Sequence, residues 1–272
     1  MKYTEAFWRD DELELARKFS KDGYIALPAE NREVLDRIRD LVVNIACSFL
    51  RLPEPEDKGR FLNQIHTQVP VEALNDLRLA VIREMNQEKW VRPAYFQTAR
   101  RALEVIVGNE LAMQVRINLS IQMPQDDSSL LPVHADAWSG DSFYEIVLWI
   151  PYADVMRTKS LYILPRAADA VFQARMSEYK EKSSEDLYQA IKPKLRWLDI
   201  PYGNVLLFTQ NMMHGNTVNE EKETRWSSNC RFKSLFSPYA DKKLGEYFEP
   251  IIVRPATQFG VGYRLPNLKA AQ

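Results

Sequence analysis

The sequence predicts a fold that is mainly β with α: an antiparallel sandwich of jelly-roll type with a helical N-terminal layer and a helical insertion. Three observations predict it. Apolar residues recur at helical spacing through the first 110 residues, strict alternation follows, and short strand-like segments separated by turn residues come after that. We expect one domain over 1–272, with 1–110 as mostly helical support and 111–272 as the sandwich, carrying an insertion at 167–191.

Helical spacing is clearest in Glu30–Leu52, where apolar residues repeat every three or four positions. A Gly turn followed by a short apolar run in Lys21–Leu27 indicates an early strand. Gly108 ends the helical part, as glycine does at many helix C-termini. The other predicted helices are Glu12–Phe19, Val71–Gln87 and Ala94–Val107.

Alternation begins at Met113–Met123, which predicts a half-buried strand. Its polar face, formed by Arg116, Asn118, Ser120 and Gln122, either meets solvent or lines a pocket, and we favour the pocket for Asn118 and Arg116. The charged segment Ala167–Ile191 is interpreted as a solvated helix or as a lid. Further strands are predicted at Leu131–Asp136, Phe143–Pro151, Ser160–Pro165, Asn204–Thr209 and Trp226–Phe236.

The composition excludes several classes of protein. A net charge of -1 argues against nucleic acid as the main partner, because phosphate backbones require a basic surface. Cys47 and Cys230 do not suggest a disulfide framework, so a reducing compartment is favoured. We find neither a signal-type apolar segment nor an apolar run of membrane-spanning length, and we expect a cytoplasmic protein that does not associate with membranes.

Two histidines stand in contexts that suggest a metal site. His134 and Asp136 lie in the segment VHADAW, and residues two apart in a strand project to the same face. His214 lies in NMMHGN, where the following glycine permits a turn and a close backbone approach. The third histidine, His66 in NQIHTQV, is interpreted as a surface or packing residue.

Two imidazoles and one carboxylate leave coordination positions open. This set suits an iron(II) oxygenase, in which a cosubstrate and dioxygen need sites. Zinc with the same ligands would favour hydrolysis, and the ligand types alone do not separate the two metals.

Arg225 lies eleven residues after His214, at the start of a predicted strand that would return it to the metal. Its guanidinium offers a fixed bidentate partner for a carboxylate, such as the far end of an oxo-acid that chelates the metal. Ser227 shares its strand face and would add a hydrogen bond. The alternative is an ordinary cross-strand ion pair, which contributes little at a surface.

Together these residues resemble the phytanoyl-CoA dioxygenase-like branch of the 2-oxoglutarate oxygenases. The resemblance runs from Met113 to the C-terminus and rests on the H-x-D pair His134–Asp136, His214 and Arg225. SLYILPR resembles the strand after the metal strand in that branch. VHADAWSGDS, YEIVLWIP and HGNTVNEEKETRWSSNCRFKSLFSPY resemble a bacterial subgroup found among genes for surface carbohydrates.

The resemblance implies a double-stranded β-helix of cupin type with Fe(II) and 2-oxoglutarate as cofactors. His134, Asp136 and His214 would hold the metal, and Arg225, Ser227 and Asn118 would hold 2-oxoglutarate. With O2, this family converts 2-oxoglutarate to succinate and CO2 and hydroxylates or oxidises its substrate. Asp136 argues against the halogenating variants, in which a small residue replaces the carboxylate.

The substrate expected from the resemblance is a small polar molecule, with a carbohydrate or nucleotide-linked sugar in surface polysaccharide biosynthesis as the first choice. Hydroxylation of an amino acid or another small metabolite, a non-catalytic jelly-roll binding protein and a zinc hydrolase are the alternatives. Trp138 would stack on a sugar ring or pack ordinarily, and Arg231 would meet an anionic group or pair with an acidic neighbour. The substrate residues predicted are Arg116, Trp138, Asp141 and Arg231.

Overall fold

Two antiparallel sheets face each other, and a layer of helices packs against the outer face of the larger sheet. The structure is a computed structural model and describes residues 5–266, so the domain predicted over 1–272 extends beyond it at both ends. The helices are α1 (Asp10–Asp22), α2 (Arg32–Leu50), α3 (Lys58–Asn63), α4 (Val71–Gln87), α5 (Val91–Gln97), α6 (Arg100–Ile106), α7 (Arg166–Gln173), α8 (Ser184–Ile191) and α9 (Pro255–Gly262).

The strands are β1 (Tyr24–Pro28), β2 (Leu111–Gln114), β3 (Asn118–Gln122), β4 (Glu145–Pro151), β5 (Tyr162–Ile163), β6 (Arg196–Trp197), β7 (Asn204–Thr209), β8 (His214–Gly215), β9 (Arg225–Ser234) and β10 (Phe248–Ile252). The larger sheet has the strand order β1-β7-β4-β9-β2-β10, with β3 also paired to β9, and the smaller sheet has the order β6-β5-β8. The predicted bounds of α4 and β7 are confirmed.

Strand alternation divides the apolar residues between two cores. Leu148 and Leu207 face the helical layer, whereas Val147 and Phe208, their neighbours on the same strands, fill the space between the sheets. The space between the sheets is therefore lined from both sides, and the site described below lies in it. No helix within 5–266 is both long and apolar enough to cross a membrane.

The helix predicted over Ala94–Val107 is in fact two helices, α5 and α6. The Thr98 hydroxyl donates to the Tyr95 carbonyl at 2.7 Å and competes there with the helical hydrogen bonds. The carboxylate of Glu30 accepts from the backbone N–H groups of Arg101 and Ala102 at 2.8 and 2.9 Å, which caps α6 from outside the helix. A cap supplied by a distant residue leaves no local signal in the sequence.

The single strand predicted over Met113–Met123 is also divided, into β2 and β3. The side chain of Asn86 binds both the N–H and the C=O of Ile117, at 2.8 and 2.9 Å, and holds a bend there. The bend lets β2 and β3 pair with successive parts of one long strand, β9. Arg116 is exposed at this bend, which contradicts the expectation that it lines the pocket.

Two further differences concern the predicted strands. The strand predicted over Leu131–Asp136 is wrong, because His134 makes only an isolated bridge to His214 and Asp136–Ser139 forms a 3-10 turn. The segment Ser160–Pro165 contributes only the short β5. The predicted insertion contains α7 and α8, whereas β6, β8, β10, α3 and α9 had no counterpart in the prediction.

Candidate metal centre

The two histidines lie side by side because their backbones pair. The N–H of His134 donates to the carbonyl of His214 at 3.0 Å, and the N–H of His214 donates in return at 2.9 Å. Their ring centroids are 4.4 Å apart, and Asp136 Oδ1 lies 3.4 Å from His134 Nε2. One ligand atom from each of the three residues lies within 4.8 Å of the other two, so they can share one metal ion.

Hydrogen bonds orient both imidazoles for metal binding. The Nδ1 atom of His134 is 2.7 Å from the carbonyl of Pro132, and that of His214 is 2.9 Å from the carbonyl of Met212. Because a carbonyl only accepts, each Nδ1 carries a proton, and each Nε2 presents a lone pair when the ring is neutral. Two such imidazoles and a carboxylate are a donor set that suits a divalent transition metal.

The charges in the site favour the protonation states that a metal requires at two of the three residues, Asp136 and His214. Burial alone would raise the pKa of Asp136, but the hydrogen bond to His134 and the positive charge of Arg231 lower that pKa well below its ordinary value. Burial lowers the pKa of His214 to about 4, which keeps its ring neutral. Burial would also lower the pKa of His134, but the hydrogen bonds to Asp136 and to the Pro132 carbonyl, together with the negative charge of Asp136, outweigh burial and raise that pKa. A metal would therefore displace a proton from His134.

Arg231 pairs with an acidic neighbour, which is one of the two roles expected for it. Its Nη2 donates to Asp136 Oδ2 at 2.9 Å, while Gln210 Oε1 and Tyr247 Oη hold the same guanidinium at 2.9 and 2.6 Å. The second carboxylate oxygen of Asp136 is thereby engaged, which leaves Oδ1 for a metal. Arg231 also lines the cavity, and its bond to Asp136 fixes the orientation of that carboxylate.

A cavity of about 260 Å³ adjoins the three candidate ligands. Asn118, Arg225 and Arg231 contribute polar atoms to its wall. The apolar part of the wall comes from the larger sheet and from residues outside the strands, and consists of Leu131, Val147, Trp149, Leu161 and Phe208. A cavity of this size accommodates a small molecule next to a metal, and its apolar wall limits access of water.

Arg225 is a buried cation without a counter-ion. Its side chain is 3% exposed, and Nη1 and Nη2 donate to the carbonyl of Ser160 at 3.0 Å and to Ser120 Oγ at 3.1 Å. Its Nε has no hydrogen-bond partner, and no carboxylate within 5–266 lies within 4 Å of it. Burial lowers its pKa to about 10. The alternative of a cross-strand ion pair is therefore wrong, and an anionic ligand would satisfy this guanidinium.

The other two residues assigned to the oxo-acid lie on the same pair of strands as Arg225, Ser227 on β9 and Asn118 on β3 opposite Asn229. Asn118 lines the cavity and donates from Nδ2 to Asn229 Oδ1 at 3.1 Å. Ser227 is buried and its Oγ has no hydrogen-bond partner, although Ser227 is not among the residues that line the cavity. The partners of Arg225 were missed from the sequence. Ser120 could have been identified from the sequence, because it shares the polar face of the predicted strand with Asn118. The Ser160 carbonyl could not, because a backbone group leaves no pattern in the sequence.

The predicted substrate residues are only partly brought together. Trp138 is 42% exposed beside the site and donates from Nε1 to Gln173 Oε1 of α7 at 3.3 Å. Asp141 is buried behind Arg231 and pairs with Lys242 at 2.5 Å, so it is not available to a substrate. Arg116 lies outside the cavity, as described above.

His66 packs against the strand that carries Arg225. Its Nδ1 is 2.9 Å from Thr224 Oγ1, and it does not line the cavity. The position fits the packing role predicted for it.

Solved structures of several non-haem metalloproteins share the fold. The chain is similar to the non-heme monooxygenase ThoJ in its nickel complex, with a TM-score of 0.55, 14% identity and coverage of 89% of this chain and 85% of that one. It is also similar to EctD from S. alaskensis with bound Fe, with a TM-score of 0.51, 17% identity and coverage of 85% and 81%.

A third similar structure is HygX from Streptomyces hygroscopicus with nickel and 2-oxoglutarate bound, with a TM-score of 0.50, 11% identity and coverage of 87% and 90%. No protein-family model and no curated protein matches the sequence. At these identities the similarities establish the fold alone, and they confirm the predicted jelly-roll architecture.

Proposed function

We propose that this protein is an iron(II)- and 2-oxoglutarate-dependent oxygenase that hydroxylates or oxidises a small polar molecule. The observation that carries the proposal is Arg225, a buried guanidinium without an anion in the same cavity as a two-histidine, one-carboxylate cluster. An oxo-acid that chelates the metal and extends its far carboxylate to Arg225 would satisfy both features at once.

Each residue has a distinct part in this proposal. His134, Asp136 and His214 would hold iron, and Arg225 would hold the far carboxylate of 2-oxoglutarate, with Asn118 and Ser227 as further hydrogen-bond partners. With these groups bound, O2 and 2-oxoglutarate would supply the oxidising power and yield succinate and CO2.

The similar structures are compatible with this assignment, since their names include a monooxygenase, bound Fe and bound 2-oxoglutarate. A zinc hydrolase would use the same three ligands. A zinc hydrolase would give the buried charge of Arg225 no anionic ligand to bind, and we therefore favour the oxygenase.

We propose a carbohydrate or nucleotide-linked sugar, used in surface polysaccharide biosynthesis, as the substrate. The support is the resemblance of VHADAWSGDS and neighbouring segments to the subgroup described above, together with Trp138, which is 42% exposed and lies two residues after Asp136. An amino acid or another small metabolite is the second candidate, because the polar atoms of the cavity suit it equally well.

An anaerobic titration tests the reaction class. Iron(II) and 2-oxoglutarate together should give a weak visible charge-transfer band, and oxygen should then release succinate. Zinc(II) in place of iron gives no band, and His214→Ala should give neither band nor succinate. Arg116→Ala, which removes an exposed arginine outside the cavity, is the matched control and should behave as the unmodified protein. Absence of the band in the unmodified protein would refute the oxygenase.

A further inference from the structure

A second cleft lies beside the cavity that adjoins the metal ligands. It has a volume of about 470 Å³ and lies between α4 and the segment 128–131. Three of its lining residues, Ser120, Leu131 and Asn229, also line the cavity of the metal cluster. The two spaces are therefore neighbours that share part of their walls.

The floor of this cleft is an open strand edge. Among the described strands, β3 pairs with β9 and with no other strand. Next to β3, both the N–H and the C=O of Ile117 bond to Asn86 of α4, away from β9. Because backbone groups alternate in direction along an antiparallel strand, those of Leu119 and Ile121 face the same open side. The cleft thus offers backbone donors and acceptors to a polar ligand.

Arg78 of α4 supplies a positive charge on the wall of the cleft. It is half-buried, and its Nη2 donates to Asn75 Oδ1 at 2.6 Å. In the part of the chain that the structure describes, no carboxylate lies within 4 Å of this guanidinium. By contrast Arg83, five residues further along the same helix, is largely exposed and lies 3.7 Å from Glu84. An arginine on the wall of a cleft that lacks a counter-ion is suited to recognise an anion.

We propose that this cleft binds the primary substrate and that Arg78 recognises an anionic group on it, either a phosphate or a carboxylate. The inference rests on the proposed oxygenase function and narrows its substrate to an anionic molecule. Each arginine then binds one ligand: Arg225 binds the far carboxylate of 2-oxoglutarate, and Arg78 binds the anionic group of the substrate. Nucleotide-linked sugars, sugar acids and amino acids meet this requirement, whereas neutral sugars do not.

Chemical protection of Arg78 tests binding without catalysis. The protein loaded with nickel and 2-oxoglutarate is treated with phenylglyoxal, which modifies accessible arginines, and modification at each arginine is followed by mass spectrometry. UDP-glucose as the phosphate probe, or glutamate as the carboxylate probe, should slow modification of Arg78 at least about fivefold. Neutral glucose should not slow it, and Arg83 should react equally in all samples. Protection by UDP-glucose would indicate a phosphate site, and protection by glutamate a carboxylate site. If neither probe protects Arg78, the proposal is overturned.

A pair of variants tests the effect on turnover. Arg78→Gln removes the charge and keeps a polar side chain, and Arg83→Gln is the matched control on the same helix. For a probe that stimulates succinate release, Arg78→Gln should raise KM about tenfold or more and leave kcat and the 2-oxoglutarate band nearly unchanged, while Arg83→Gln changes none of them. An unchanged KM would overturn the role of Arg78. Loss of the band in the unmodified protein would instead refute the oxygenase itself, so the two failures are distinguishable.

Discussion

Replacing Arg225 by methionine should separate two effects of its buried charge: the destabilisation of the protein without ligand, and the binding of 2-oxoglutarate. Burial lowers the pKa of Arg225 to about 10, which corresponds to a penalty of about 3 kcal/mol for keeping the charge in place. Methionine retains a long apolar side chain, but it leaves the Ser160 carbonyl and the Ser120 hydroxyl without a donor, at about 1 kcal/mol each. Without ligand, we therefore expect Arg225→Met to raise the free energy of unfolding by about 1 kcal/mol.

The same substitution should abolish stabilisation by 2-oxoglutarate. A ligand at a hundred times its Kd stabilises a protein by about 2.7 kcal/mol, and loss of one partner of a buried charged pair costs about 2–5 kcal/mol of binding. Urea unfolding with nickel, measured with and without 2-oxoglutarate, gives both quantities. A variant that loses several kcal/mol without ligand, yet still gains stability with 2-oxoglutarate, would refute this reasoning and make Arg225 a structural residue.

Three further substitutions test how the metal cluster is held. His214→Ala removes one of three ligands, so nickel should no longer raise the melting temperature; a normal shift would contradict the site. Arg231→Met frees the second carboxylate oxygen of Asp136 and should weaken metal binding about 10–100-fold by calorimetry, with retained affinity refuting its positioning role. Gly215→Ala places a Cβ 2.6 Å from the Tyr162 hydroxyl and should cost about 1–3 kcal/mol in unfolding measurements, whereas an unchanged stability would mean that the backbone moves freely there.

Local patterns were sufficient where one segment decides its own structure. The helical spacing in Val71–Gln87 and the short apolar run in Asn204–Thr209, which turn residues precede, each predicted an element with its observed bounds, because these signals lie within the segment itself. The resemblance of four side chains to an oxygenase motif pointed to a shared cavity, and His134, Asp136, His214 and Arg225 do line one.

Other features depend on partners distant in the sequence. The bend at Arg116 exists because Asn86 binds Ile117, and this bend moved Arg116 from the predicted pocket to solvent. Likewise, nothing near Arg231 in the sequence indicates that its partner is Asp136, 95 residues earlier.

The sequence by itself therefore determined the helical and strand periods, the jelly-roll class and the set of candidate ligands. Only the tertiary structure decided that Arg225 lacks a counter-ion, that Arg231 is already engaged and that Arg78 borders an adjoining cleft. The reason is physical: periodicity is a property of neighbouring residues, whereas whether a charge is satisfied depends on every group that folding brings within a few ångströms of it.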